Sequence, residues 1–278
     1  MLQRLYRPSR FGQLHVRLAG PAKGQSGPLA PPVLCLHQTP SNGSDWEALM
    51  RHLAHDRWVI APDMPGYGMS DPPPEPVAIA DFVALMRDLV DDLGPAMGIE
   101  VRAFDVIGHH TGSVVATQLA LDDERVRRLV LCSLPAFDAE MRAQMLAGLD
   151  TLFPAPDGSL VLVERLRAFQ DAFADTRMSA EQRQVAMAEC LRLGARMSWA
   201  YRAVFGYDMP AALDRLEREV LVLNARDDLE EVTRTAFARL RHARLVELTG
   251  CGHGFLAFAD DELARLVRDH LDLGLACN

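Results

Sequence analysis

Val106-Ile107-Gly108-His109-His110-Thr111-Gly112-Ser113 is the stretch on which the reading of this chain turns. An apolar run, Val101 to Ile107, leads into Gly-x-His-x-Gly, and a helix-like run, Ser113 to Leu121, follows at once. This is the strand–bend–helix frame of the G-x-S-x-G motif. In that frame the central residue stands on a strained bend with its side chain exposed, and the glycines let the backbone pack closely. A histidine occupies the place of the serine. The exchange of a hydroxyl for an imidazole at 110 is the functional question.

The flanking sequence alternates between strand and helix patterns. Leu2 to Tyr6 and Gln13 to Leu18 read as two strands of a hairpin. A Pro/Gly-rich connector, Gly20 to Pro32, leads to Val33-Leu34-Cys35-Leu36, a continuous apolar run suited to a strand covered on both faces. Ser44-x-x-Glu47 predicts a capping box for a helix running to about Ala54. Arg57 to Ala61 is a strand, and Ile79 to Leu93 carries Phe82, Leu85, Met86, Leu89, Val90 and Leu93 at a helical period. Val126 to Cys132, Glu219 to Leu223 and Arg244 to Leu248 are further strands, and Asp261 to Leu273 is a closing helix. This order predicts an α/β fold, a doubly wound and mostly parallel sheet with right-handed crossovers. From Pro135 to Leu216 only helical periods occur: Ala139 to Leu152, Leu160 to Phe173 and Ala180 to Tyr201. Residues 1–134 and 217–278 are therefore expected to form the core, with 135–216 as an inserted helical cap.

Composition narrows the class. A chain of 278 residues with 49% hydrophobic and 24% charged residues matches ordinary globular proteins and is long enough to bury a large core. The formal net charge of -9 argues against nucleic acid and against anionic membrane surfaces. No apolar run reaches the ~20 residues of a membrane span, and the first residues lack the apolar core of a signal peptide. A cytoplasmic location is the expectation, with a small molecule as partner and a homodimer as an open option. Cys35, Cys132, Cys190, Cys251 and Cys277 are scattered without metal spacing and read as reduced thiols, mostly core filler.

Five ordered pieces then carry a resemblance. They are Leu36-His37-Gln38-Thr39-Pro40, Ala61-Pro62-Asp63-Met64-Pro65-Gly66-Tyr67-Gly68-Met69-Ser70, the stretch around His110, Leu223-Asn224-Ala225-Arg226-Asp227-Asp228-Leu229, and Gly250-Cys251-Gly252-His253-Gly254-Phe255. Together they resemble the α/β-hydrolase superfamily, in the capped group that holds esterases, haloalkane dehalogenases, epoxide hydrolases and C–C bond hydrolases. The resemblance covers nearly the whole chain and is weakest in the cap. It implies a catalytic order of nucleophile, acid and histidine, which falls here on His110, Asp228 and His253. Asp228 aligns with the acid better than Asp227, for which a turn-forming role is favoured. The resemblance also implies that Thr39 N–H and Thr111 N–H hold developing negative charge, each such donor being worth ~3 kcal/mol of barrier. Gln38 replaces a glycine of that loop, so either the loop avoids positive φ or the carboxamide turns toward substrate. His37 is expected to tie the loop to its neighbours, His109 to be packed and hydrogen-bonded, and the Asp63 to Asp71 loop to be structural. Trp46, Trp199, Tyr201 and Tyr207 are equally suited to lining the cleft and to filling the core.

An imidazole at 110 leaves three chemical routes. It attacks a carbonyl directly, it works with His253 to activate water in a hydrolysis without covalent intermediate, or it moves protons in a lyase or isomerase. All three need a neutral ring, and two adjacent imidazoles resist both being charged. A scaffold that lost its nucleophile and only binds a ligand is the non-catalytic alternative. Thr111, Ser113 and Cys251 are poor substitutes as nucleophile; Ser113 is expected to serve the first helical turn. His110, His253 and Asp228 make a two-histidine, one-carboxylate set. No metal or other cofactor is expected, because the family's acid lies behind its histidine and not beside the substrate. The favoured reading is a cofactor-independent hydrolase of a small, mostly apolar carbonyl compound, whether ester, lactone or C–C bond.

Overall fold

In the computed structural model, residues 2–22 and 29–273 are described; the middle of the Gly20 to Pro32 connector and Cys277 lie outside them. Among the described residues, eight strands form one sheet in the order β1-β2-β4-β3-β5-β6-β7-β8. They are β1 (Gln3–Ser9), β2 (Gly12–Ala19), β3 (Val33–Leu36), β4 (Val59–Pro62), β5 (Phe104–His109), β6 (Val126–Cys132), β7 (Glu219–Ala225) and β8 (Ala243–Leu248). The β1–β2 hairpin adds to β4 antiparallel, and every pairing from β4 to β8 is parallel. Helices α1 (Glu47–Leu53), α2 (Ile79–Met97) and α3 (Thr111–Asp122) precede β6. Between β6 and β7 come α4 (Ala139–Leu152), α5 (Val161–Phe173), α6 (Ala180–Arg192), α7 (Trp199–Phe205) and α8 (Met209–Asp214); α9 (Glu230–Phe237) and α10 (Asp261–Asp272) follow.

Strand alternation places an apolar layer on each face of the sheet. Leu34, Leu36, Val106, Leu129, Leu131, Val220 and Val222 pack with Phe82, Met86 and Leu89 of α2 and with Val115 and Leu119 of α3. Their strand neighbours Val33, Cys35, Ile107, Val130, Leu221 and Leu223 pack with Leu49 and Leu53 of α1 and with Val267 and Leu271 of α10. Each fully buried aliphatic side chain contributes about 1.5–3 kcal/mol of transfer free energy. The helices between β6 and β7 join the first layer through α4, α7 and α8, by way of Leu149, Ala200, Val204, Phe205, Met209 and Leu213. Helix α5 buries none of its residues fully.

Three local readings change. The expected Ser44 capping box is replaced by a 3-10 turn, Gly43–Trp46, whose cap is Asn42 accepting from Ser44 N–H. Glu47 turns instead to the Arg17 and Arg4 guanidinium groups. The long Ala180 to Tyr201 helix is broken, because Gly194 adopts a φ of 55° that no helix continues through. The sheet strand before His110 begins at Phe104, not Val101, and reaches His109.

The elbow is held by close approach. A Cβ added to Gly112 would lie 2.0 Å from the Leu36 carbonyl oxygen, and one added to Gly108 would lie 2.3 Å from the Gly112 carbonyl oxygen. Neither neighbour is a flexible side-chain end, so α3 would have to leave β3. Gly112→Ala is expected to cost about 3 kcal/mol or more and to lower the thermal midpoint by roughly 6–12 °C. Thermal denaturation followed by far-UV circular dichroism measures this, and an unchanged midpoint contradicts it.

Candidate active site

The residues singled out from the sequence gather at the carboxyl edge of the parallel strands, where α/β sheets bind ligands. His110 follows β5, Thr39 follows β3, Asp227 and Asp228 follow β7, and His253 follows β8. His110 sits at φ 48° and ψ -115°. That strained conformation, costly for a residue with a Cβ, persists only where surrounding structure fixes it. Here the His110 N–H donates to the Cys132 carbonyl at 3.0 Å and the His110 carbonyl accepts from the Ser113 hydroxyl at 2.6 Å. Ser113 thus serves the first turn of α3, as a donor to a carbonyl and not as an acceptor for orphan N–H groups.

The two adjacent carboxylates stand differently toward the rings. His110 Nε2 lies 3.2 Å from Asp227 Oδ2 and 4.0 Å from Asp228 Oδ1. Asp227 is fully buried at its side chain and accepts two more hydrogen bonds, from Ser133 Oγ at 2.6 Å and from Leu229 N–H at 2.9 Å. Asp228 keeps about a third of its side-chain surface, 34%, in solvent. The expected Asp228–His253 pair is not formed; the carboxylates within 4 Å of an imidazole here face His110. The reason is the turn. Arg226 N–H is drawn to the Cys251 carbonyl at 2.8 Å, and the Asp227 carboxylate closes on Leu229 N–H. Asp227 is thereby turned inward and its neighbour outward. The turn-forming role favoured for Asp227 is real, but the same carboxylate also meets His110.

Charge follows this geometry. Burial alone pushes the His110 imidazole down, but its hydrogen bond to Asp227 and the charges of Asp227 and Asp228 outweigh it and raise the pKa. Burial works against ionised Asp227 too, yet its bonds to His110 and Ser133 hold it well below the usual carboxylate range. Burial raises the Asp228 carboxyl, helped by the charge of Asp227. His253 is pushed down to about 3, first by burial and then by the charge of His110. His253 is therefore neutral at pH 7, with its ring centroid 5.4 Å from that of His110. Because Asp227 is ionised it can only accept, so Nε2 of His110 carries a proton in either charge state, and in the neutral ring Nδ1 holds the lone pair.

The remaining predicted residues divide clearly. Thr39 and Thr111 approach each other, Oγ1 to Oγ1, at 2.6 Å, and both are buried. Gln38 is also buried; it avoids positive φ, and its Oε1 has no hydrogen-bond partner. His37 bridges its loop to the next, donating from Nδ1 to the Gln38 carbonyl at 2.6 Å while Nε2 accepts from Met64 N–H at 2.8 Å. Asp63 ties down the Asp63 to Asp71 loop through Gly43 N–H, Met69 N–H, His15 and Arg17. His109 is packed between the rings of His110 and Phe255, but both of its ring nitrogens lack the hydrogen bonds expected of them. Burial keeps it neutral. Trp46 is core, and Tyr201 donates its hydroxyl to the Thr39 carbonyl at 2.9 Å. Donor atoms of His110, Asp228 and His253 lie within 4.8 Å of one another, as do those of His109, His110 and Asp227. A tetrahedral zinc needs donors roughly 3.4 Å apart, so the 4.0 Å edge between His110 and Asp228 would have to contract to hold one.

Residues 33–266 match the model of the alpha/beta hydrolase family. The chain belongs to that family. It is 30% identical to the 2-hydroxymuconate semialdehyde hydrolase of Pseudomonas sp. strain CF600 over 82% of this chain and 81% of that one. It is 27% identical to the 2-hydroxy-6-oxo-2,4-heptadienoate hydrolase of Pseudomonas putida, over 82% and 83%. A solved epoxide hydrolase superimposes with a TM-score of 0.75 at 20% identity, covering 99% of this chain and all (100%) of that one. A hydrolase from Pseudomonas aeruginosa PA01 superimposes with a TM-score of 0.73 at 23% identity, covering 97% and 98%. These two likenesses speak for the fold. Among the described residues of this alpha/beta hydrolase, no helix is long and apolar enough to cross a membrane. Sequence reasoning missed Ser133, which donates to the Asp227 carboxylate from the end of β6 across 94 residues of chain. No local signal marks it.

Proposed function

We propose that this alpha/beta hydrolase cleaves a small, mostly apolar carbonyl compound (an ester, a lactone or a C–C bond) by activating water at His110, without a cofactor. The observation that carries the reading is the hydrogen bond from His110 Nε2 to buried Asp227 at 3.2 Å. It fixes the tautomer and orients the ring, as a carboxylate does for a catalytic base. His110 Nδ1 then takes a proton from water as that water attacks the carbonyl carbon. The resulting imidazolium is held by Asp227, and returns its proton to the leaving group. Neutral His253, across the cleft, accepts or donates a hydrogen bond to the same water. Thr39 N–H and Thr111 N–H hold the oxyanion. Gln38 Oε1, a buried acceptor with no partner, is reserved for a donor on the substrate, since leaving such a group unpaired costs about 1–3 kcal/mol. The names of the two relatives point the same way, toward small oxygenated carbon chains.

A panel of p-nitrophenyl esters, lactones and vinylogous diketones assayed in H₂¹⁸O tests this. Turnover with ¹⁸O entering the carboxylate product is expected, and turnover without ¹⁸O would instead indicate a lyase or isomerase. A fluorophosphonate probe is expected to leave the native protein unlabelled, because no serine stands at the elbow. Labelling at Ser113 or Ser133, located by peptide mass spectrometry, would overturn the water mechanism. The base must be neutral to act, and its pKa lies above the ordinary value of 6.5. Activity is therefore expected to rise with pH through an apparent pKa above 6.5, and a profile flat from pH 5 to 8 contradicts this.

A further inference from the structure

The His253 ring has no hydrogen bond to a carboxylate, yet its loop is fixed from the other side. Its backbone N–H donates to the Phe173 carbonyl at 2.7 Å, and its carbonyl accepts from Asp175 N–H at 2.9 Å. These two bonds form a parallel bridge between the histidine loop and the chain that leaves α5 of the cap. The Asp175 side chain, fully buried, accepts from Gly252 N–H at 3.0 Å. It is itself locked by the N–H of Arg177 and by that residue's guanidinium at 2.8 Å on each oxygen. The approach is close: a Cβ on Gly252 would lie 2.8 Å from the Asp175 backbone. Phe169, one turn back on α5, sets its ring edge-on to His253 with centroids 4.9 Å apart. Apart from the Phe169 ring, which touches the imidazole itself, these contacts are made by backbone and by side chains that do not react.

We propose that Asp175 is a positioning residue for His253: it pins the histidine loop to the cap in place of the missing acid, so that the cap's seating sets the imidazole's orientation. The inference rests on His253 belonging to the reactive site. A carboxylate accepting one loop N–H and clamped by a guanidinium is a rigid strut. A ring without a side-chain partner takes its direction from its backbone and its packing. An error of about 1 Å in such a group costs up to roughly 100-fold in rate. The arrangement also explains why a segment with so little buried apolar surface as α5 is nevertheless held against the core.

The test is long-range ¹H–¹⁵N correlation of the histidine rings in the whole protein, beside turnover of p-nitrophenyl butyrate. In Asp175→Ala the His253 signals are expected to shift or broaden while those of His15, bonded to Asp63, and His37, bonded to Gln38 and Met64, stay in place. kcat is expected to fall by about 10–100-fold with KM changed less than twofold. Asp175→Asn, which retains an acceptor for Gly252 N–H, is expected to restore most of both. Should Asp175→Ala not fold, Arg177→Ala, at a partly exposed position, carries the test, with a smaller shift of the same His253 signals expected. Unmoved His253 signals in a folded Asp175→Ala, or in Arg177→Ala in its stead, would overturn the proposal. If the wild type turns over no ester but the His253 signals still move, the hydrolase reading fails and this one stands.

Discussion

His110→Ala is expected to lower kcat/KM by on the order of 10²–10⁴-fold, the range that a positioned general base supplies, with the fold intact. The backbone bonds of residue 110 to Cys132 and Ser113 do not involve the ring. The variant should therefore keep the wild-type circular dichroism spectrum while losing turnover, with a thermal midpoint lowered by the loss of the ring's bond to buried Asp227. His110→Gln is expected to be equally inactive, because a carboxamide has no basic lone pair to take a proton from water. Kinetics of both variants on one ester substrate check this. Full activity in either, with the site otherwise unchanged, removes His110 from the mechanism.

The second large effect belongs to Asp227. Asp227→Asn preserves volume but presents an amide donor to His110 Nε2. The imidazole then puts its proton on Nδ1, the atom that has to accept one from water. Loss of turnover on the order of 10³–10⁴-fold is expected, as for a histidine held in the wrong tautomer. The pH profile separates this from simple misfolding. In the wild type Asp227 raises the His110 pKa against the effect of burial; without that charge burial prevails, so the acidic limb of the residual activity moves to lower pH. For stability the sign is opposite in pH. A raised histidine pKa contributes stability that is present below the unfolded value of about 6.5 and fades as pH climbs through the folded value. Asp227→Asn should consequently lose more stability at pH 5 than at pH 9, measurable by urea unfolding at each pH. Asp228→Asn, at a position a third exposed and without a hydrogen bond to either ring, is expected to change kcat far less than Asp227→Asn. The reverse ranking would return the acid's role to Asp228.

Much of the fold was legible because periodicity and burial coincide. The run Val33-Leu34-Cys35-Leu36 faces both apolar layers alternately, and the Ile79 to Leu93 stripe is the buried face of α2. The site was legible in outline, since each loop follows a strand whose carboxyl end is easily located. What local pattern does not carry is the orientation of adjacent residues and contacts across long separations. Asp227 and Asp228 differ only in which way a turn throws them, and that is set by Cys251 and Leu229. Ser133 meets Asp227 across 94 residues, and Asp175 meets Gly252 across 77. Such pairings arise from the packing of whole elements and leave no trace in local pattern. The broken α6–α7 region shows the complementary error: a helical period continued through Gly194, but a single backbone angle ended the helix.

Asp227 keeps a negative charge in a place that water does not reach. Ser133, Leu229 and His110 occupy three of the roughly four acceptor positions on its two oxygens. An anion so enclosed depends on every donor around it, because a buried charge that loses a partner is costly. The chemistry at the sheet edge and the integrity of the fold are thus tied together through one carboxylate, and changes that disarm the site also tax the structure that carries it.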